Sequence, residues 1–99
     1  MASDLPKVIT VNGKRWRLVW LPKGHPMLQG AMGLIESPEK RGRRMFIQMG
    51  QAPEELFDSL VHEIAHASGW NLSEEWVTIF ASDLTRIIKR LGFEFKALK

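Results

Sequence analysis

Apolar and polar residues alternate with a period of two through "KVITV" and again through "KRWRLVW", which predicts two β-strands. Between them stands Asn12-Gly13, the pair best suited to a type I′ turn because both central residues there need positive φ. A two-residue loop sets Ile9 opposite Trp16, and the alternation adds Leu18 and Trp20 to the same, core-facing side. Arg15 and Arg17 then point the other way. The next stretch, "LPKGHPMLQGAMG", holds Pro22, Gly24, Pro26, Gly30 and Gly33, too many breakers for a regular helix. Two short apolar runs follow, "GLIE" and "MFIQM", on either side of the polar "SPEKRGRR". They predict a second hairpin, with Ser37 to Arg44 as an exposed, flexible tip.

From Pro53 the period lengthens. "APEELFDSLVHEIAHASG" places Leu56, Leu60, Ile64 and Ala67 on one helical stripe flanked by Phe57 and Val61. Pro53 suits the first turn, where its missing N–H costs nothing, and Glu54, Glu55 and Asp58 meet the positive end of the helix dipole. Gly69 is a natural stop. A second helix is predicted over "LSEEWVTIFASDLTRIIKRLG", with Ser73 as N-cap, Lys89 and Arg90 in the last turn and Gly92 beyond it. Its apolar face comprises Val77, Phe80, Ala81, Leu84, Ile88 and Leu91. The tail "FEFKALK" fits a strand or a frayed end equally.

The chain's 99 residues suit one domain, with residues 1–99 read as a single unit. It has no cysteine, so neither disulfides nor thiolate ligands contribute. No run approaches a membrane span and "MASDLPKVIT" lacks an apolar signal core, so no membrane role and a cytoplasmic location are expected. Residues 1–50 carry nine Lys or Arg against three acids, whereas residues 51–99 carry five against eight. A solvated turn and a polar strand face account for the basic half, and a nucleic-acid partner is not expected.

The chemistry lies in HEIAH, residues 62–66. His62 and His66 stand one helical turn apart on one face, a separation that suits two nitrogen ligands on a single Zn²⁺. Glu63 is turned by about 100° from His62, poorly placed to ligate but able to reach a zinc-bound water as general base. Burying two imidazoles and a carboxylate on one short helix is costly without a partner. A catalytic zinc needs a third protein ligand. "HEIAHASGWNL" follows the metzincin pattern as far as Gly69, but Leu72 occupies the place of the third histidine. His25 lies in the Pro/Gly-rich loop and reads as incidental. Glu74 and Glu75 remain. A short turn after Gly69 folds the second helix back on the first, and Glu74 shares a face with Val77 and Ala81, so Glu74 is preferred.

HEIAH followed closely by "LSEEWVTIFASDL" resembles the small gluzincin-type HExxH metallopeptidase-like proteins common in bacteriophage genomes, distantly similar to the ImmA/IrrE and minigluzincin families. The resemblance covers about residues 30 to 92. It implies a zincin-like minimal domain, zinc held by His62, His66 and Glu74, and Glu63 as the residue that activates water. The expected fold is α+β: a small antiparallel sheet of two hairpins packed on two helices, with zinc where the helices meet. The expected function is zinc-dependent hydrolysis of a peptide or protein substrate, aligned along "MFIQM" as an edge strand. With no tyrosine in the chain, an oxyanion-stabilising group is not evident. Two other readings compete. One is a zinc-stabilised regulatory or interaction module with weak or no activity. The other is a nucleic-acid binder using Arg15, Arg17 and the 40–44 turn together with exposed tryptophans.

Overall fold

The computed structural model describes residues 5–96. Strands β1 (Val8–Val11) and β2 (Lys14–Leu21) form the first hairpin, with Ile9 opposite Trp16. Asn12 and Gly13 both have positive φ, 52° and 76°, as the two-residue turn requires. Strands β3 (Gly33–Ile35) and β4 (Arg44–Gln48) form the second. Helices α1 (Pro53–Ser68) and α2 (Glu74–Arg90) complete the α+β architecture.

The sheet is mixed, not antiparallel throughout. Its order is β1-β2-β4-β3, and β2 pairs with β4 in parallel, Leu18 beside Met45 and Trp20 beside Ile47. Alternation fixes pairing within each hairpin but says nothing about how two hairpins join. That is decided by residues 22–32, which cross the outer face of the sheet and deliver the chain to the far edge. A short 3₁₀ turn at Pro26–Leu28 lies against β4, and Leu28 and Phe46 are buried on this outer face. It follows that "MFIQM" lies in the interior of the sheet. The edge strand of the second hairpin is β3.

The principal core lies between the sheet and α1. Trp16, Leu18, Met45 and Ile47 from the sheet meet Leu56 and Ala67, with Ile9, Ile35, Leu60 and Ile64 packed around them. Truncating Met45 or Ile47, each fully buried, to alanine would cost about 2–5 kcal/mol. Helix α2 packs chiefly on α1, antiparallel to it, through Val77, Ala81 and Thr85. A Lys89–Glu54 ion pair of 2.8 Å ties its end to the start of α1. The buried face is narrower than the apolar pattern predicts: Phe80 and Leu91 are exposed. Residues 93–96 form no strand, although Phe95 packs against Phe57 at 4.8 Å; residues 97–99 lie outside the described part.

The turn between β3 and β4 is exposed over residues 39–42, as expected, and is tied at its base. Glu36 accepts hydrogen bonds from the backbone N–H and the guanidinium of Arg44 and from Lys40. No helix among the described residues is long and apolar enough to cross a membrane.

Candidate metal centre

Helix α1 lies along β3 and presents His62 and His66 one turn apart, their ring centroids 5.0 Å from each other. The helix closes at Gly69, whose N–H bonds the carbonyl of Ala65. Gly69 has φ of −138°, so no left-handed conformation calls for glycine there. Space does: a Cβ at Gly69 would sit 2.9 Å from Leu72 Cδ1. The close packing of Leu72 on Gly69 reverses the chain within a few residues. The Ser73 hydroxyl then accepts the Trp76 N–H at 3.0 Å and starts α2.

This reversal carries Glu74 onto the two imidazoles. Its Oε2 lies 3.2 Å from His66 Nε2, and its Oε1 contacts His62 Nε2. The three side chains each offer one ligand atom, all within 4.8 Å of one another, and this group can hold a metal ion. The donor chemistry fits a metal ion: two imidazole nitrogens and one carboxylate oxygen are ligand types that divalent transition metals accept. A carboxylate that is mostly exposed could face water freely, yet here it is shared between two imidazoles. Glu75, one position further round, makes no hydrogen bond or ion pair among the described residues and is exposed. His25 is elsewhere, its Nδ1 accepting the Met27 N–H at the start of the 3₁₀ turn.

Glu63 lies in the gap between α1 and β3, against Gly33, and lines the same cleft as the three donors. It is 6% exposed. Gly33 makes that position possible, because a Cβ there would come within 2.9 Å of Glu63 Oε2. Burial, and then the negative charge of Glu74, push the Glu63 carboxyl up from the usual 4.5 to about 7. A carboxyl so placed exchanges protons near neutrality, the range in which a general base operates best.

These groups line an open groove. One part, a cleft of about 520 Å³, runs past Leu34, Ile35, Trp70 and Leu72. A second, of about 250 Å³, continues past Met32, Asp58 and Ser59. Gly33, His62, Glu63 and Glu74 are common to both, so the candidate donors sit in the middle of the groove. Sequence reasoning named the four titratable residues but missed Gly33, Trp70 and Leu72 as walls. The glycine's role depends on a partner thirty residues away, which no local pattern signals.

Compared with models of known families, with curated proteins and with solved structures, the chain matches none.

Proposed function

We propose that the protein is a zinc-dependent hydrolase of peptide bonds, with His62, His66 and Glu74 holding the metal and Glu63 acting as general base. The observation that carries this reading is the convergence of these three donors beside a buried carboxylate at the centre of a groove. The HExxH resemblance to small gluzincin-type proteins agrees with it.

The groove also suits an extended chain. In the β3–β4 ladder the Gln48 N–H bonds Met32 O and the Glu36 N–H bonds Arg44 O. The backbone of residues 32, 34 and 36 is therefore turned toward β4, and that of Gly33 and Ile35 toward the open edge. Both residues line the groove. A peptide adding to β3, rather than to the interior strand β4, would pass over the donors. Leu34, Ile35, Trp70 and Leu72 would favour an apolar side chain on one side of the scissile bond.

The bound metal would supply Lewis acidity, polarising the scissile carbonyl and making water easier to deprotonate. Glu63 takes the proton from the attacking water and returns it to the departing amine. Its burial keeps the proton from bulk solvent between these steps. Edge pairing at Gly33 and Ile35 holds the carbonyl in place.

A second reading, a zinc-binding interaction module without efficient turnover, is favoured by one observation. The chain has no tyrosine, and His25 is engaged in the 3₁₀ turn, so neither can stabilise an oxyanion in the groove. Zinc stoichiometry and hydrolysis of a mixed peptide library separate the two. One zinc per chain is expected, lost in His62→Ala and in His66→Ala. Glu63→Gln should keep the metal and lower turnover about 10²–10⁴-fold. Zinc without any turnover would select the module, and undiminished zinc in the double histidine variant would remove both readings.

A further inference from the structure

Helix α2 has a second apolar face that no other described residue covers. Trp76, Phe80, Ile87 and Leu91 recur at helical spacing and are 49%, 40%, 51% and 68% exposed; Ile79 flanks them at 54%. Trp76 and Phe80 stack on each other, ring centroids 5.0 Å apart and planes 11° from parallel. The face is turned away from α1, whose contacts are with Val77, Ala81 and Thr85. At the midpoint of the stripe stands Asp83, hydrogen-bonded to Arg86 at 2.6 Å.

We infer that this face pairs with the same face of a second copy of the chain, two α2 helices lying antiparallel about a twofold axis near Asp83. The stripe is complementary to itself in that orientation. Its aromatic end, Trp76 and Phe80, meets the aliphatic end of the second copy, Leu91 and Ile87. In the antiparallel pair two Asp83 and two Arg86 side chains gather near the axis, each Asp83 keeping its own Arg86, and their charges sum to zero.

The area is adequate. Taking about 200 Å² for a large side chain, five that are half exposed present on the order of 500 Å² per copy. The pair would then bury up to about 1,000 Å², the lower limit for a specific interface. The groove remains open in the pair, because Glu74 shares the α1-facing side of α2 with Val77 and Ala81. The inference is independent of whether the metal site is catalytic.

Sedimentation equilibrium on the full chain, from micromolar to millimolar concentration, tests it. A monomer–dimer equilibrium is expected. Phe80→Glu and Ile87→Glu, at positions exposed in the monomer, should each weaken dimerisation at least ~10-fold while circular dichroism is unchanged. Asp83→Arg and Arg86→Asp should each dissociate the dimer when alone, by collecting like charge at the axis. Mixing the two variants should restore a dimer. A monomer throughout the range, self-association indifferent to Phe80→Glu, or failure of the mixed variants to pair would each overturn the twofold model. So would sedimentation of the wild type with phosphatidylcholine–phosphatidylglycerol vesicles in place of dimer formation.

Discussion

Gly33 and Glu63 compete for one small volume between β3 and α1, and the carboxylate has it because the glycine has no side chain. The backbone of Gly33 is not in the left-handed region, so alanine meets no conformational objection there, only the Glu63 side chain, Oε2 at 2.9 Å and Cγ at 3.1 Å. The Glu63 side chain must shift to make room. Gly33→Ala should therefore cost about 1 kcal/mol of stability or somewhat more, while displacing Glu63, the proposed base, from its position in the groove. The expected outcome is unchanged zinc stoichiometry with turnover lowered at least ~10-fold. Parallel metal titration and peptide assays check it. Loss of metal together with activity would show that the glycine supports the helix and not the base.

At the scale of elements, the rotation of α2 about its own axis selects which glutamate meets the histidines. Val77 and Ala81 are fully buried against α1, and Glu74 is carried on the same side. Glu74→Gln should weaken zinc at least ~10-fold, because a charged ligand is replaced by a neutral amide. Glu75→Gln should leave zinc affinity unchanged and cost at most about 1 kcal/mol through the helix dipole. Competition titration against a chromophoric chelator measures both, and the reverse ranking would place the helix one residue out of register. The turn joining β3 to β4 supports a prediction about pH. Hydrogen bonds from Arg44, aided by Lys40 and opposed by burial, hold the Glu36 carboxyl down at about 2 instead of 4.5. A carboxyl lowered on folding stabilises the fold above its unfolded value and ceases to do so as pH falls through its folded one. The wild type should thus lose stability between about pH 4.5 and pH 2. Glu36→Gln, which lacks this contribution at neutral pH already, should decline less steeply with acid. Urea unfolding at pH 7 and pH 3 gives the comparison, and parallel declines would mean the ion pair contributes nothing.

Over the whole molecule, charge and aromatic surface separate. Arg43 donates from Nε to the carbonyl of Arg15 at 3.1 Å, bringing the basic 40–44 turn beside Arg15 and Arg17. The tryptophans do not join them. Trp16 is fully buried, Trp20 packs against the core with its Nε1 donating to the Pro6 carbonyl, and Trp70 and Trp76 belong to the helical side, by the groove and on α2. A basic face without stacking rings holds phosphates only by charge. Single-stranded DNA is therefore expected to bind no better than duplex, and binding of either should fall steeply between low and physiological salt. Fluorescence anisotropy at several salt concentrations measures this. Tight, salt-resistant preference for single strands would contradict it.

The sequence by itself determined whatever depends on neighbours along the chain. Alternation and Asn12-Gly13 set the first hairpin and its register; capping residues and period bounded both helices; HEIAH placed two imidazoles on one face; the face shared with Val77 and Ala81 singled out Glu74. Each follows from backbone geometry over a few residues. Only the tertiary structure decided how the hairpins join, because parallel pairing of β2 with β4 depends on the path of residues 22–32 across the sheet, a path without periodicity. That choice made β3, not β4, the open edge of the groove and brought Gly33 against Glu63. It also decided how much of the apolar face of α2 is covered. Phe80 and Leu91 have the right spacing for a core, but α1 is a single cylinder and reaches only the side of α2 that holds Val77, Ala81 and Thr85. Hydrophobic spacing states which residues share a face; the width of the element packed against it determines which of them leave water.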